Sequence, residues 1–156
     1  MTLWNETKSV PVSKEQVWLD KKLRSNAGSA GIDQISMEEF NANKSTHLYK
    51  LWNRMASGSY FPPPVKEVEI PKKDGKMRNL GIPTISDRVA QMVVKDYLET
   101  RFEKIFSSYW YGYRPGKNAH QALETVRENC RMMDWVIDLD IKGFFDNIDH
   151  HKLMLP

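Results

Sequence analysis

The sequence predicts an α/β fold of the α+β kind: helices around a single basic β-hairpin, with one further strand towards the C-terminal end. Three observations carry this. The apolar period changes from helical to alternating near Val65, where Glu67 and Glu69 interleave with Val68 and Ile70. Breakers stand on either side of the change, a Pro62-Pro63-Pro64 run before it and an Asp74-Gly75 pair inside it, the second being a hairpin signal. Lastly, residues 135–141 read WVIDLDI, with Trp135, Ile137, Leu139 and Ile141 on one face of a strand and Asp138 and Asp140 on the other.

The elements follow in order. Ser13 with Gln16 three residues on has the pattern of a capping box, which predicts a short helix from about Lys14 to Arg24. SNAGSAGID has small-residue turn signals without periodicity and reads as a loop. Ser36 and Glu39 repeat the capping-box pattern, and Leu48, Leu51, Trp52 and Met55 then fall at helical spacing until the prolines stop the helix. After the outgoing strand and its turn, Arg78, Leu80 and Ile82 form the returning strand. Ser86-Asp87 is expected to cap a long helix whose core face is Val89, Met92, Val93, Tyr97, Phe102 and Phe106. SSYWYGYRPGKN is an aromatic loop broken by Gly and Pro. Ala119, Leu123, Val126, Cys130 and Met133 mark the core face of a further helix, and another begins at about Ile148.

Length and composition bound the function. The chain has 156 residues, enough for one domain, and 40% of them are hydrophobic, so a packed core is within reach. No run of about 18 apolar residues exists, so no membrane span is expected. MTLWNETKSV has no signal-peptide pattern, and the single Cys130 excludes an internal disulfide framework and a cysteine-rich zinc site. An intracellular, cytoplasmic setting is the natural reading. The net charge is +3, but its distribution is uneven: residues 66–117 are net basic and residues 118–156 net acidic. A basic middle before an acidic end suits a polyanion track beside a cation site.

Three constellations can carry chemistry. On a strand, Asp138 and Asp140 project from one face roughly 7 Å apart, and a carboxylate on an apolar strand is costly unless paired or bound to a cation such as Mg²⁺. The same spacing also fits a strand with one wet face. The hairpin PKKDGKMRNL crowds Lys72, Lys73, Lys76 and Arg78 around a tight turn that can reach a triphosphate, although exposed hairpin tips are often basic. In YWYGYRPGKNAHQ, aromatics interleave with Arg114, Lys117 and Asn118, a composition that can stack bases and hold phosphates or plug a core. The histidines are weaker signals, since His150 and His151 are adjacent and point apart on a helix.

Four segments, in order and at matching spacing, make the chain resemble the bacterial group II intron reverse transcriptase and maturase family. They are GSAGIDQIS at 28–36, IPKKDGKMRNLGIPTISDRVAQ at 70–91, LETRFEKIFSSYWYGYRPGKNAHQAL at 98–123, and WVIDLDIKGFFDNIDHHKLM at 135–154. The resemblance implies the fingers of a reverse transcriptase with part of its palm: an N-terminal extension and template-facing loop over 1–65, fingers over 66–133, and the first palm strand with the start of a palm helix over 134–156. It implies that Asp140 is the first metal-binding aspartate and that Ile141 offers a backbone carbonyl to a second Mg²⁺. Phe145 then excludes a ribose 2′-hydroxyl, and Lys72 and Arg78 contact the incoming dNTP. Lys73, Lys76, Arg114, Pro115, Gly116, Lys117 and Asn118 touch nucleic acid. The implied partners are intron RNA, an RNA template with a DNA primer, and dNTP; separately from the resemblance, an incomplete palm would expose apolar surface through which a homodimer could form.

The departures are specific. Tyr113 stands where the family's Tyr-Gly-Phe-Arg has phenylalanine, and Gln34 stands where a second glycine is common. The Tyr-x-Asp-Asp motif is not in the sequence, and one aspartate cannot hold two metal ions, so the chain by itself is expected not to polymerise. A non-catalytic RNA-binding module that assists splicing is the rival expectation.

Overall fold

The structure, a computed structural model, describes residues 12–18, 28–72 and 75–153. Six α-helices and two strands are described, in the order α1 (Lys14–Trp18), α2 (Met37–Ala42), α3 (Lys44–Ala56), β1 (Lys66–Pro71), β2 (Met77–Ile82), α4 (Ile85–Phe102), α5 (Ala119–Cys130) and α6 (His150–Leu153), with a 3₁₀ turn at Phe145–Asn147 before α6. The chain forms two compact units divided between Thr100 and Arg101.

In the first unit, both expected capping boxes form. Gln16 N–H donates to Ser13 Oγ (3.2 Å) while Ser13 N–H donates to Gln16 Oε1 (2.8 Å). Ser36 and Glu39 repeat the exchange at 3.2 and 2.9 Å. These bonds satisfy N–H groups that a helix start leaves without partners. The expected end of α1 at Arg24 lies outside the described residues. Beyond the caps, Leu48, Leu51 and Met55 put the buried stripe of α3 against Val17, Phe40, Ile85, Val89, Ala90 and Val93. Trp52 Nε1 donates to the Val12 carbonyl at 3.1 Å, tying the start of the unit to α3.

The hairpin forms as its alternation predicts. β1 and β2 pair antiparallel with Ile70 opposite Arg78 and Val68 opposite Leu80. Lys72 N–H extends the ladder to the Lys76 carbonyl at 2.7 Å, and Gly75 closes the turn at φ +80°, where only glycine is unstrained.

The start of α4 differs from expectation. Thr84, not Ser86-Asp87, is the cap: its Oγ1 accepts from Asp87 N–H at 3.2 Å and its carbonyl from Arg88 N–H at 3.0 Å. Asp87 is buried instead, accepting from Tyr60 O–H (2.7 Å) and Gln91 Nε2 (2.8 Å). Burial, and then the bond to Asp87, push the Tyr60 phenol well above its ordinary range. Only the first half of the expected α4 core face is covered. Val89 and Val93 are buried, but Phe102 is exposed and Phe106 lies past the helix end.

The second unit departs further. α5 forms with an Asn118/Gln121 capping box, yet none of its residues is buried, and Leu123 and Val126 of its expected core face are exposed. Residues 135–140 are not a strand, and Trp135, Ile137 and Leu139 are open to solvent. A strand's N–H and C=O groups need a neighbouring strand, and among the described residues only β1 and β2 pair. The helix expected at Ile148 begins at His150, because Asp149 caps it: Oδ1 accepts from His151 N–H (3.0 Å) and Lys152 N–H (3.2 Å).

Candidate functional site

The candidate residues fall into three groups, one in the first unit and two in the second. In the hairpin, directly opposed residues share a face and the side-chain period is two. The register therefore puts Arg78 on the face of Val68, Ile70, Leu80 and Ile82, and the Lys72–Lys76 pair continues that face to the tip. Glu67 and Glu69 fall on the opposite face, across from Gly81 and Asn79. The ribbon thus has one basic face and one acidic face. Lys73 lies outside the described residues.

Residues 28–36 are held against the start of α4. Arg88 Nε donates to the Pro83 carbonyl at 3.2 Å, and its Nη2 donates to the Ser29 carbonyl. Gly31 is packed so closely that a Cβ there would lie 2.7 Å from the Thr84 Cα. Gln34 closes the turn, its N–H donating to the Gly31 carbonyl at 3.2 Å with φ +57°. Sequence reasoning gave Asp87 only a capping role and gave Arg88 none. The available signal was an acid and a base in the first turn of a helix that follows the hairpin through Pro83-Thr84.

The second group surrounds a loop. Arg114 is 10% exposed and is consumed internally. Its Nη2 donates to Glu103 Oε1 at 2.7 Å and its Nε to both Glu103 oxygens, while Nη1 donates to the Ser107 (2.7 Å) and Trp110 (3.1 Å) carbonyls. The Arg114 hydrogen bond holds the Glu103 carboxyl below the usual carboxylate range. Asn118 caps α5, and Lys117 Nζ sits 4.8 Å from the Tyr111 ring centre. Pro115 and Gly116 form an exposed turn, and Gly116 (φ +70°) has open space where a Cβ would be.

The third group is a shallow open hollow lined by Leu139, Asp140, Ile141, Gly143, Phe144 and Phe145, so three expected site residues share one concavity. Asn147 Nδ2 closes the following turn on the Gly143 carbonyl at 2.8 Å. No cluster of three metal-ligating side chains occurs among the described residues. Asp140 and the Ile141 carbonyl are hard oxygen donors of the kind Mg²⁺ takes, and they amount to part of a Mg²⁺ shell rather than a whole one.

Residues 70–156 match the family model described as reverse transcriptase (RNA-dependent DNA polymerase). The chain belongs to the reverse transcriptase family. The match takes in the hairpin from Ile70, the Arg114 loop and the Asp140 hollow. The chain is also 37% identical over 137 residues to the group II intron-encoded protein LtrA of Lactococcus lactis, covering 86% of this chain and 22% of LtrA. It is 34% identical over 136 residues to protein YkfC of Escherichia coli, covering 83% of this chain and 35% of that protein. It is 37% identical over 83 residues to the nuclear intron maturase 1 of Arabidopsis thaliana, covering 51% of this chain and 12% of the maturase. The chain thus spans between about a tenth and a third of the relatives it matches. Among the described residues, no helix is long and apolar enough to cross a membrane.

Proposed function

We propose that this chain is the fingers portion, with the first palm motif, of a group II intron reverse transcriptase and maturase. In that enzyme it grips intron RNA, template–primer and dNTP for RNA-directed DNA synthesis. The observation that carries the reading is the two-faced hairpin within a family-matched segment: Lys72, Lys76 and Arg78 share a face from which Glu67 and Glu69 are excluded. Such a face suits a triphosphate or a phosphodiester backbone, with Arg78 making the bidentate contact and the lysines acting as point charges.

Asp140 and the Ile141 carbonyl would hold part of the Mg²⁺ site. The metal supplies Lewis-acid stabilisation of the transferring phosphoryl group when bound. Phe145, 81% exposed at the edge of the same hollow, would fill the space that a ribose 2′-hydroxyl needs. Residues 135–141 would form the palm strand by pairing with strands of a larger protein, which accounts for their apolar residues being uncovered here.

RNA binding across a salt series tests the reading, using a structured group II intron RNA and a scrambled RNA of equal length. The chain is expected to bind RNA. The triple variant Lys72→Ala, Lys76→Ala, Arg78→Ala should flatten the log–log salt slope by roughly 0.7–0.9 for each phosphate no longer neutralised. No binding at low salt, or an unchanged slope, sinks the proposal.

A further inference from the structure

We infer that Tyr113 is a stacking platform for an unpaired nucleobase, and that Arg114 is a positioning residue that presents it. The inference rests on the nucleic-acid reading above and names the contact within it. Tyr113 is a tyrosine at φ +54°, in the left-handed region. There its Cβ crowds the backbone, and such outliers persist only where their surroundings over-determine them. Its ring is 105% exposed and so gains nothing from burial.

The neighbouring aromatics are occupied inside the loop. Trp110 packs on Phe106 with ring centres 4.7 Å apart and donates from Nε1 to the Gly112 carbonyl at 3.1 Å. Tyr111 shares a 2.6 Å hydrogen bond with Thr125. Arg114 then fixes the residue beside Tyr113 through Glu103, Ser107 and Trp110. The loop is therefore locked on both sides of Tyr113, the most exposed of its rings at 105%, against 68% for Tyr109 and 53% for Trp110.

The chemistry of the loop chooses the ligand. Residues 104–123 contain Lys104, Arg114 and Lys117 but no Asp or Glu. Yet the guanidinium that reads as the phosphate contact is already matched by Glu103. What the loop still offers a polyanion is the exposed Tyr113 π-face, the Lys117 ammonium over the Tyr111 ring, and the open backbone turn at Gly116. A base stacked on an aromatic face is bound with little regard to its identity, which suits a strand that must be read at every position.

The test is titration of the 156-residue chain with a single-stranded RNA oligonucleotide carrying 2-aminopurine, whose fluorescence is quenched on stacking. Tyr113→Gly is expected to weaken binding by about 5- to 150-fold and abolish the quench. It should leave the salt slope unchanged, since the substitution removes no cationic group. It should melt no lower than the parent, because glycine adopts this φ freely. Tyr113→Phe should restore both affinity and quench. If the parent chain binds and Tyr113→Gly binds within about twofold of it, the inference is overturned while the nucleic-acid reading stands. Failure of Tyr113→Phe to restore the quench would assign the effect to the hydroxyl and overturn stacking. If Tyr113→Gly instead dissolves a dimer and leaves RNA affinity unchanged, the ring is a protein contact and the inference is overturned. If the parent chain binds no RNA at low salt, the nucleic-acid reading fails first and takes this inference with it.

Discussion

The two units hold their chains in place by different means. Among the described residues up to Thr100, nine hydrophobic side chains are buried together, and the loops are pinned to that core by Arg88, Trp52 and the Tyr60–Asp87 pair. From Arg101 onward, no described residue is buried, and order comes from an ion pair, two helix caps and backbone turns. Burial is non-directional and sums over area, whereas a hydrogen-bonded loop depends on a few groups keeping one protonation state and one geometry. The first arrangement suits a scaffold. The second suits a surface whose covering comes with its ligands.

The comparison breaks most visibly if matched leucines respond alike. Leu48→Ala, at a fully buried site, should cost about 2–5 kcal/mol in urea denaturation. Leu123→Ala, at a leucine 66% exposed, should stay within about 0.5 kcal/mol. Equal losses would mean that α5 is covered in solution.

A smaller effect should appear on acidification of the second unit. Glu103 has a lowered pKa in the fold, chiefly through its hydrogen bond from Arg114. Its stabilising contribution is therefore complete above the pKa of an unfolded glutamate and is lost as the pH falls through the lowered folded value. Trp110 fluorescence should report the loop opening in that acid range, and Glu103→Gln should show no such transition. A change in Trp110 emission that persists in Glu103→Gln would remove the pair from this role.

The smallest effect sharpens the comparison at a single backbone angle. Gln34 and Tyr113 are the two non-glycine residues described in the left-handed region, one in each unit. Gln34→Gly should stabilise the first unit by roughly 0.5–1 kcal/mol, since relief of the Cβ clash exceeds the entropy that glycine adds to the unfolded chain. A lower urea midpoint for this variant would show that the side chain makes interactions that outweigh its strain.

Legibility in the sequence followed the range of the interactions. Both N-terminal capping boxes, the α3 stripe and the hairpin were readable because each is set by residues a few positions apart. Thr84 displaced Ser86-Asp87 as the cap for a non-local reason: Asp87 is drawn inward by Tyr60, 27 residues earlier. The strand over 135–141 was legible as a pattern but requires a pairing partner, and no pattern within a segment supplies one. The functional residues divide in the same way. The crowding of cations on the hairpin could be read from its residues, whereas Ile141 and Phe145 stood out only through the family resemblance. That Arg114 is matched by Glu103, eleven residues away, could not be read.

The hairpin's two faces also have a consequence for chain length. In β1, the apolar anchors and the basic groups lie on the same parity of residue number, and the acids lie on the other. Removing one residue between Lys66 and Pro71 would exchange both sets at once, bringing glutamates to the face that carries Lys72, Lys76 and Arg78. Removing one from the turn at 72–76 alters only the reach of the tip. Insertions and deletions in this segment therefore divide into two kinds: those that change the sign of the surface and those that change its extent.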